Sequence, residues 1–130
     1  MEFCDVKLTA NPLETPAATF SETEGASVDF FGVVRAMEDS QPIRGIDYEA
    51  FTSMAEFQLK RLANEMRLSH RLGLVRIHHR IGFVPAGEPS LYVRVTATHR
   101  QAAFHGCSEL VDRLKQIVPI WKHPVFAPEE

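Results

Sequence analysis

The chain has 130 residues, of which 45% are hydrophobic and 24% are charged, and its formal net charge is −3. These values indicate one globular domain spanning residues 1–130, and the negative charge argues against general affinity for nucleic acid or anionic membranes. No apolar run reaches the roughly 18 residues of a membrane span. Residues 1–5 lack the basic and apolar pattern of a signal peptide, so we expect a cytoplasmic protein.

The first half of the chain predicts three strands. Residues 3–9 are predicted as the first strand and residues 26–35 as the second, in which Gly32 indicates a bulge or a close backbone approach. We expect residues 37–44 to form a mobile loop. In residues 45–51 apolar and acidic side chains alternate, as in a half-buried third strand.

A helix and a β-hairpin are predicted next. Residues 53–56 have the form of a capping box, and apolar residues then recur at helical spacing to about His70. Apolar side chains alternate in residues 75–81 and again in residues 91–97. This pattern predicts two paired strands, joined by a connection over residues 82–89.

The last predicted element is a second long helix. Residues 98–101 form another capping-box pattern, an apolar stripe that includes Cys107 follows, and Pro119 ends the helix. The order of elements is therefore β, β, β, α, β, β, α. It indicates an α+β fold in which a largely antiparallel sheet is covered by two long amphipathic helices.

The cysteines and two adjacent histidines argue against metal or thiol chemistry. Cys4 and Cys107 are the only cysteines and form no CxxC motif, which excludes a zinc ribbon, a thioredoxin-like site and a disulfide scaffold. On its apolar stripe, Cys107 is expected to pack as a small hydrophobic residue. His78 and His79 are neighbours on a predicted strand and so point to opposite faces. We therefore expect no metal and no cofactor.

The start of the second helix is a candidate anion site. The capping box places His99 and Arg100 in the first turn, where the helix dipole disfavours each cation by about 0.3 to 1 kcal/mol. Free backbone N–H groups, an arginine and an imidazole together suit a phosphate or carboxylate. Alternatively, Arg100 pairs with a surface acid and His99 extends the apolar face of the preceding strand.

Three further cations are candidates for chemistry. Only four lysines exist, and two of them, Lys115 and Lys122, lie around the end of the second helix. They could be a residue complementing the helix dipole and a solvated tail residue, or they could converge, in which case repulsion and burial would lower the pKa of at least one. Arg35 ends the second strand on the face of Phe31 and Val33, either as a substrate clamp or as an ordinary surface arginine.

Several motifs in a fixed order carry a family resemblance over residues 26–126. They are FGVVR at 31–35, YEAF at 48–51, HRIG at 79–82, THR at 98–100 and PIWK at 119–122. In these motifs the sequence resembles the MoaE family, the large catalytic subunit of molybdopterin synthase.

The resemblance implies an α/β hammerhead fold and a homodimer that binds a small ubiquitin-like sulfur-carrier subunit at each end, giving a heterotetramer. The Gly-Gly tail of the carrier, activated as a thiocarboxylate, would insert into a pocket of the large subunit and transfer sulfur to cyclic pyranopterin monophosphate. Two transfers would form the dithiolene of molybdopterin. This pterin is a substrate, and neither nucleic acid nor a membrane is implied as a partner.

The resemblance also implies roles for individual residues. Lys115 and Lys122 match catalytic lysines. The positions implied to bind substrate are Phe30, Val33, Val34, Arg35, His99, Arg100, Lys115, Lys122, His123 and Pro124. At His123 and Pro124 the sequence departs from the family pattern, in which another basic residue and an acid commonly follow Trp-Lys.

A noncatalytic α+β module that binds an anion or another ligand for regulation is the main alternative. It would use His99 and Arg100 but would need neither Lys115 nor Lys122. RNA binding ranks lower because the strands lack the pattern of basic residue, glycine and paired aromatics that RNA-recognition domains use. The presence of both lysines favours the enzyme.

Overall fold

The computed structural model describes residues 3–14 and 19–128. Met1 and Glu2, part of the segment considered for a signal peptide, lie outside the described residues. Among the described residues, neither helix combines the length and the apolar character needed to cross a bilayer. The elements in chain order are β1 (Cys4–Thr9), β2 (Ala26–Val33), β3 (Met37–Glu38), β4 (Gln41–Ala50), α1 (Thr52–His70), β5 (Val75–Arg80), β6 (Gly82–Pro85), β7 (Pro89–Ala97), α2 (Arg100–Ile117) and β8 (Ile120–Phe126).

The larger sheet has the strand order β1-β5-β7-β2 and carries both helices on one face. The β5–β7 hairpin is confirmed, and β2 is also antiparallel to β7, whereas β1 runs parallel to β5. The α+β prediction is therefore confirmed, with a mixed sheet. The main core comprises alternate strand residues and the apolar stripes of the helices, including the fully buried Leu59, Leu62, Val75, Ile77, Val93, Val95 and Leu110.

A second, smaller sheet is built around β4, which pairs antiparallel with β3, β6 and β8. Its own core consists of Val34, Ile43, Ile46, Tyr48 and Val84. The connection predicted over residues 82–89 contains β6, and the segment after Pro119 forms β8, which the sequence did not predict. Both strands pair with β4. Strand β6 has only four residues and β8 shows no regular alternation of buried and exposed residues, so their own sequences carry little signal.

The prediction of a mobile loop over residues 37–44 is wrong. Asp39 and Ser40 both have positive φ, 49° and 65°, and join β3 to β4 as a two-residue turn. Two left-handed residues in succession are the geometry of a tight hairpin turn whose twist matches that of the strands. Asp-Ser is a weaker signal for this turn than Asn-Gly, which explains the missed strand.

Both predicted capping boxes are also wrong. Helix α1 is preceded by Phe51 as its N-cap and α2 by His99, and neither helix has a side-chain cap hydrogen bond. At α2 the Thr98 carbonyl accepts a hydrogen bond from Gly25 N, 3.2 Å away. This bond continues the β2–β7 pairing past Ala97, so the helix begins one residue later than a Thr98 cap would require.

The irregularity predicted at Gly32 is confirmed. The β2–β7 register shifts between Gly32 and Val33, and β2 ends at Val33, two residues before the predicted end. A bulge changes which face of the strand the following side chains occupy. This shift determines where Arg35 lies.

Candidate active site

A cavity of about 450 Å³ lies at the carboxyl end of α2, where the larger sheet meets β4 and β8. Its volume is in the range of small-molecule sites. Six apolar side chains contribute to its walls: Phe30, Val33, Leu91, Leu114, Val118 and Ile120. Residues from both sheets and from α2 thus form one pocket, which we call the lysine pocket.

Three cations and no carboxylate line the lysine pocket. The cations are Arg35, Lys115 and Lys122. Throughout residues 3–14 and 19–128, none of the three forms an ion pair with an acidic side chain. Apolar walls lower the local dielectric and strengthen the attraction that these charges exert on an anion. The pocket therefore suits an anionic ligand.

The turn after α2 brings Lys115 and Lys122 to the same pocket. The helix ends at Ile117, Ile120 N donates to the Val118 carbonyl at 2.8 Å, and β8 then runs antiparallel to β4. In this pairing Lys122 lies opposite Tyr48. Of the two possibilities left open by the sequence, the structure has the convergent one, and Lys122 is a strand residue rather than a tail residue.

Arg35 reaches the pocket because of the bulge in β2. The sequence placed Arg35 on the face of Phe31 and Val33. In the structure Val33 and Arg35 line the lysine pocket together with Phe30, whereas Phe31 stacks on Tyr92 with ring centroids 4.9 Å apart. The expected shared face with Phe31 is therefore wrong, since the register shift at Gly32 reverses the alternation beyond it.

The polar wall of the pocket consists of Tyr48, His79 and Ser90. Ser90 Oγ donates to the Tyr48 hydroxyl at 3.0 Å, and the Tyr48 and His79 rings meet edge to face at 5.3 Å. Burial raises the pKa of Tyr48 above its usual 10.0, against the opposing effect of the Ser90 hydrogen bond. Tyr48 is therefore a neutral phenol at physiological pH.

His99 and Arg100 lie in a different place, a shallow surface site shared with Gly25, Thr98 and Gln101. Both are exposed, His99 as the N-cap of α2 and Arg100 as its first residue. Arg100 and Lys115 are fifteen residues apart on one helix, which corresponds to about 22 Å along its axis. Within one chain, a small molecule held by Lys115 does not reach Arg100.

Three other predicted substrate-binding residues do not line the lysine pocket. Val34 is buried in the smaller core, with its backbone bonded to Gly87 and Glu88. His123 pairs with Glu49 at 2.9 Å on an exposed face, because alternate strand residues point to opposite sides and Lys122 occupies the pocket side. Pro124 lies opposite Ile46 on β4.

Cys107 packs as a small hydrophobic residue and the side chains of His78 and His79 point to opposite faces of β5, both as predicted. Cys107 is buried, and burial raises the pKa of its thiol to about 11, so it packs as a neutral side chain. His78 bonds to Asp5 at 3.2 Å on one face of β5, and His79 lines the lysine pocket on the other. In the described part of the chain, no group of three or more potential metal ligands occurs.

Sequence reasoning assigned no role to Tyr48, His79 or Ser90. Tyr48 and His79 do lie in the YEAF and HRIG motifs, which was the available signal. Their convergence depends on the contact between the two sheets, and the sequence did not predict the second sheet.

Comparison with known proteins gives a consistent family assignment. The model of the family described as MoaE protein matches residues 7–117. A molybdopterin synthase catalytic subunit from Thermoplasma volcanium is 35% identical over 116 residues, covering 89% of this chain and 85% of that protein. The catalytic subunit from Oryza sativa subsp. japonica is 37% identical over 102 residues, 78% of this chain and 53% of the rice protein. The chain thus spans about half the length of the rice relative.

Solved structures show the same fold. Molybdopterin synthase from Staphylococcus aureus has a TM-score of 0.85 and 28% identity, covering 94% of this chain and 91% of that one. A protein described as a complex of subunits 1 and 2 of molybdopterin-converting factor, from Helicobacter pylori, has a TM-score of 0.68 at 17% identity, with coverage of 99% and 92%. Together with the family match over most of its length, these findings show that the chain belongs to the MoaE protein family.

Proposed function

We propose that this chain is the sulfur-transferring subunit of a molybdopterin synthase in the cytoplasm. It takes sulfur from the thiocarboxylated C terminus of a small ubiquitin-like carrier and delivers it to cyclic pyranopterin monophosphate. Two such transfers form the molybdopterin dithiolene. The catalytic subunits among its relatives and the chemistry of the lysine pocket support this proposal.

The observation that carries the proposal is the convergence of Arg35, Lys115 and Lys122 in one cavity without a carboxylate. A thiocarboxylate and a pterin phosphate are both anions, and each gains from fixed cations in a partly apolar site. A regulatory module that binds its anion through His99 and Arg100 needs neither Lys115 nor Lys122. The pocket therefore favours the enzyme over the regulatory alternative.

Roles for the three cations follow from their chemistry. Arg35 presents a planar guanidinium suited to bidentate contact with a phosphate or with developing negative charge. Lys115 and Lys122 transfer protons and hold the acyl–sulfur centre as sulfur leaves the carrier's terminal carbonyl carbon. Water replaces the sulfur on that carbon, so the carrier ends as a carboxylate, and each new carbon–sulfur bond on the pterin replaces a carbon–oxygen bond. No metal or prosthetic group takes part in this scheme.

The carrier enters through its C-terminal Gly-Gly tail. Two glycines have no side chains, so they thread into a narrow pocket that would exclude larger residues. Replacing the terminal glycine of the carrier with a bulky residue should abolish transfer even where the two globular surfaces still associate. Undiminished transfer from that carrier would exclude tail insertion.

The second cation site requires a homodimer if both sites serve one pterin. Arg100 lies about 22 Å along α2 from Lys115, so a shared substrate needs Arg100 from another copy of the chain. We propose such a homodimer, with one carrier on each large subunit in a heterotetramer. His99 and Arg100 of one copy then contact the phosphate of a pterin bound beside Lys115 of the other.

Mixed dimers test this arrangement. Chains carrying Lys115→Ala and chains carrying Arg100→Ala are each expected to be impaired alone. If the site is shared between copies, random mixing restores about a quarter of the wild-type sites, since half the dimers are mixed and each has one intact site. If each site lies within one chain, mixing restores nothing.

The decisive experiment is reconstitution. The purified chain is incubated with a thiocarboxylated carrier and cyclic pyranopterin monophosphate, and molybdopterin formation is measured against a carrier that ends in an ordinary carboxylate. We expect product only with the thiocarboxylate. Pterin binding without turnover, lost on Arg100→Ala and unaffected by Lys115→Ala, would instead support the regulatory module.

A further inference from the structure

His79 is buried and lines the lysine pocket, and none of the roles proposed above uses it. It lies in the HRIG motif on β5 and is 5% exposed. Its Nδ1 is 2.8 Å from the Arg80 carbonyl oxygen. Because a carbonyl only accepts hydrogen bonds, Nδ1 carries the hydrogen, and Nε2 of the neutral ring is a free acceptor.

Nε2 is available to the pocket. It has no hydrogen-bond partner among residues 3–14 and 19–128. In the same part of the chain, the fully enclosed side-chain nitrogens without partners are Arg67 Nε and Arg80 Nε, so His79 Nε2 retains access to the cavity. An acceptor held in a fixed tautomer at a cavity surface is suited to orient a donor.

Lys122 is a hydrogen-bond donor that lines the same pocket. Lys122 lies opposite Tyr48 across the β4–β8 pair, and directly opposed residues of an antiparallel pair have neighbouring side chains. The Tyr48 ring in turn meets the His79 ring edge to face at 5.3 Å. Lys122, Tyr48 and His79 therefore line the same pocket, and the charge of Lys122 lies close enough to lower the pKa of His79.

We propose that His79 is a positioning residue for Lys122, whose amine donates to His79 Nε2 and is thereby held at the reacting centre. This inference rests on the proposed sulfur transfer and assigns a function to a residue outside the set of cations. Only the neutral imidazole can accept this hydrogen bond. A protonated His79 would present an N–H to Lys122 and repel it.

The surroundings of His79 favour the neutral ring. The ionisable groups facing it are Tyr48 from β4, Lys122 from β8, Lys115 from α2 and Arg35 after β2, while β7 contributes the uncharged Ser90 and Leu91. On its other side β1 places Leu8 beside it. Burial, with a smaller contribution from Lys122, lowers the pKa of His79 below its usual 6.5, against the raising effect of the Arg80 carbonyl.

Two variants distinguish the roles of the two ring nitrogens of His79. His79→Asn places an amide N–H near the position of Nδ1 and keeps a donor for the Arg80 carbonyl, but it removes Nε2. His79→Gln places an amide oxygen near the position of Nε2 and keeps an acceptor that does not titrate. His78→Asn is the matched control, because His78 lies on the opposite face of β5 and bonds to Asp5.

The expected result is a split between kcat and KM. His79→Asn should lower kcat for sulfur transfer about tenfold to a hundredfold, the effect of losing a hydrogen bond to a charged group, with little change in KM for pterin or carrier. His79→Gln should recover most of this loss. His78→Asn should have wild-type kcat. A wild-type kcat in His79→Asn, or no recovery in His79→Gln, would overturn the proposal.

The pH profile provides a second test. Wild-type transfer should fall on the acid side with a midpoint below pH 6.5, as His79 gains a proton. In His79→Gln this acid limb should be absent, and in His78→Asn it should persist. An unchanged acid limb in His79→Gln would show that another group titrates.

A measurement without substrate distinguishes failure of this inference from failure of the proposed function. Trace acetylation of wild-type protein, analysed by mass spectrometry, gives the reactivity of Lys122 relative to Lys60, which pairs with Glu56 on the surface. The ratio should change across the titration of His79 in wild-type protein and stay constant in His79→Gln. A wild-type protein that makes no molybdopterin would refute the proposed function, whereas a ratio that is equally constant in both proteins would refute the His79 inference. If the variants do not fold, the pH dependence of this ratio in wild-type protein still tests the His79 inference.

Discussion

The two cation sites lie at opposite ends of α2 and differ in depth, neighbours and origin. The lysine pocket at the carboxyl end is a cavity with apolar walls, and its cations come from three separate parts of the chain. The site at the amino end is shallow, and its residues are two short neighbouring segments around Gly25 and residues 98–101. One is an assembled cavity and the other is a local feature of a helix start.

This difference indicates different chemical uses. In the lysine pocket, the apolar walls lower the local dielectric and so strengthen the attraction between the cations and an anion. At the start of α2, exposed charges and free backbone N–H groups bind an anion but are screened by solvent and salt. We therefore assign bond-making steps to the lysine pocket and phosphate binding to the helix start.

The largest expected effect is loss of the pocket amines. Lys115→Ala and Lys122→Ala should each reduce sulfur transfer by at least about 10²-fold, since general acid–base groups contribute roughly 10² to 10⁴. The fold should stay intact because both residues are exposed at the pocket surface rather than packed in the core. Steady-state kinetics with circular dichroism as a folding control would check this. Near wild-type turnover by both variants would remove the distinction between the two sites.

An intermediate effect is expected at the helix start. Arg100→Ala should weaken binding of cyclic pyranopterin monophosphate by about 1.5 to 3 kcal/mol, the range for a hydrogen bond to a charged group, and leave carrier binding unchanged. Calorimetry with each ligand separately measures both values. Equal pterin affinity in variant and parent protein would show that Arg100 does not hold the phosphate.

A smaller effect, on the stability of the protein, is expected from β2, the strand that runs between the two sites. Asp29 on β2 accepts from Arg94 at 2.6 and 2.8 Å, and these hydrogen bonds, against some opposing burial, hold the pKa of Asp29 below 3.8. Asp29→Asn should lower the free energy of unfolding at pH 7 by about 1 to 2 kcal/mol, allowing for partial exposure of the pair.

The pH dependence of that pair has a defined sign. Because folding lowers the pKa of Asp29, its stabilising contribution is present above pH 3.8 and is lost as the pH falls through the folded-state value. Urea unfolding of parent and Asp29→Asn proteins should therefore converge in stability in strong acid. A difference that persists unchanged below the folded pKa would show that the Asp29 charge is not its source.

The smallest effect is expected at a lysine outside both sites. Lys60 pairs with Glu56 at 3.1 Å on the exposed face of α1. Lys60→Ala should change stability by less than about 0.5 kcal/mol, the range of such helix pairs, and leave turnover unchanged. A large loss of turnover in this variant would mean that net positive charge, rather than position in the pocket, determines the rate.

The sequence predicted the larger sheet and helices well because their patterns are long and regular. Alternate residues of β5 and β7 and the apolar stripe of α2 lie in the main core, so hydrophobic spacing alone identified these elements. Strands β3 and β6 have only two and four residues, β8 has no regular alternation of buried and exposed residues, and all three pair with β4. A strand whose main stabilisation is a distant partner carries little local signal.

The same distinction between local pattern and long-range pairing applies to the candidate site. The sequence by itself determined which groups are present: two lysines near the end of α2, an arginine after β2, and a histidine with an arginine at the start of α2. Only the tertiary structure decided which of them share a cavity. The register shift at Gly32 placed Arg35 at the lysine pocket, and the pairing of β8 with β4 placed Lys122 opposite Tyr48 at the same pocket. Those positions depend on backbone pairing between segments far apart in the chain, and residue types and local spacing do not specify that pairing.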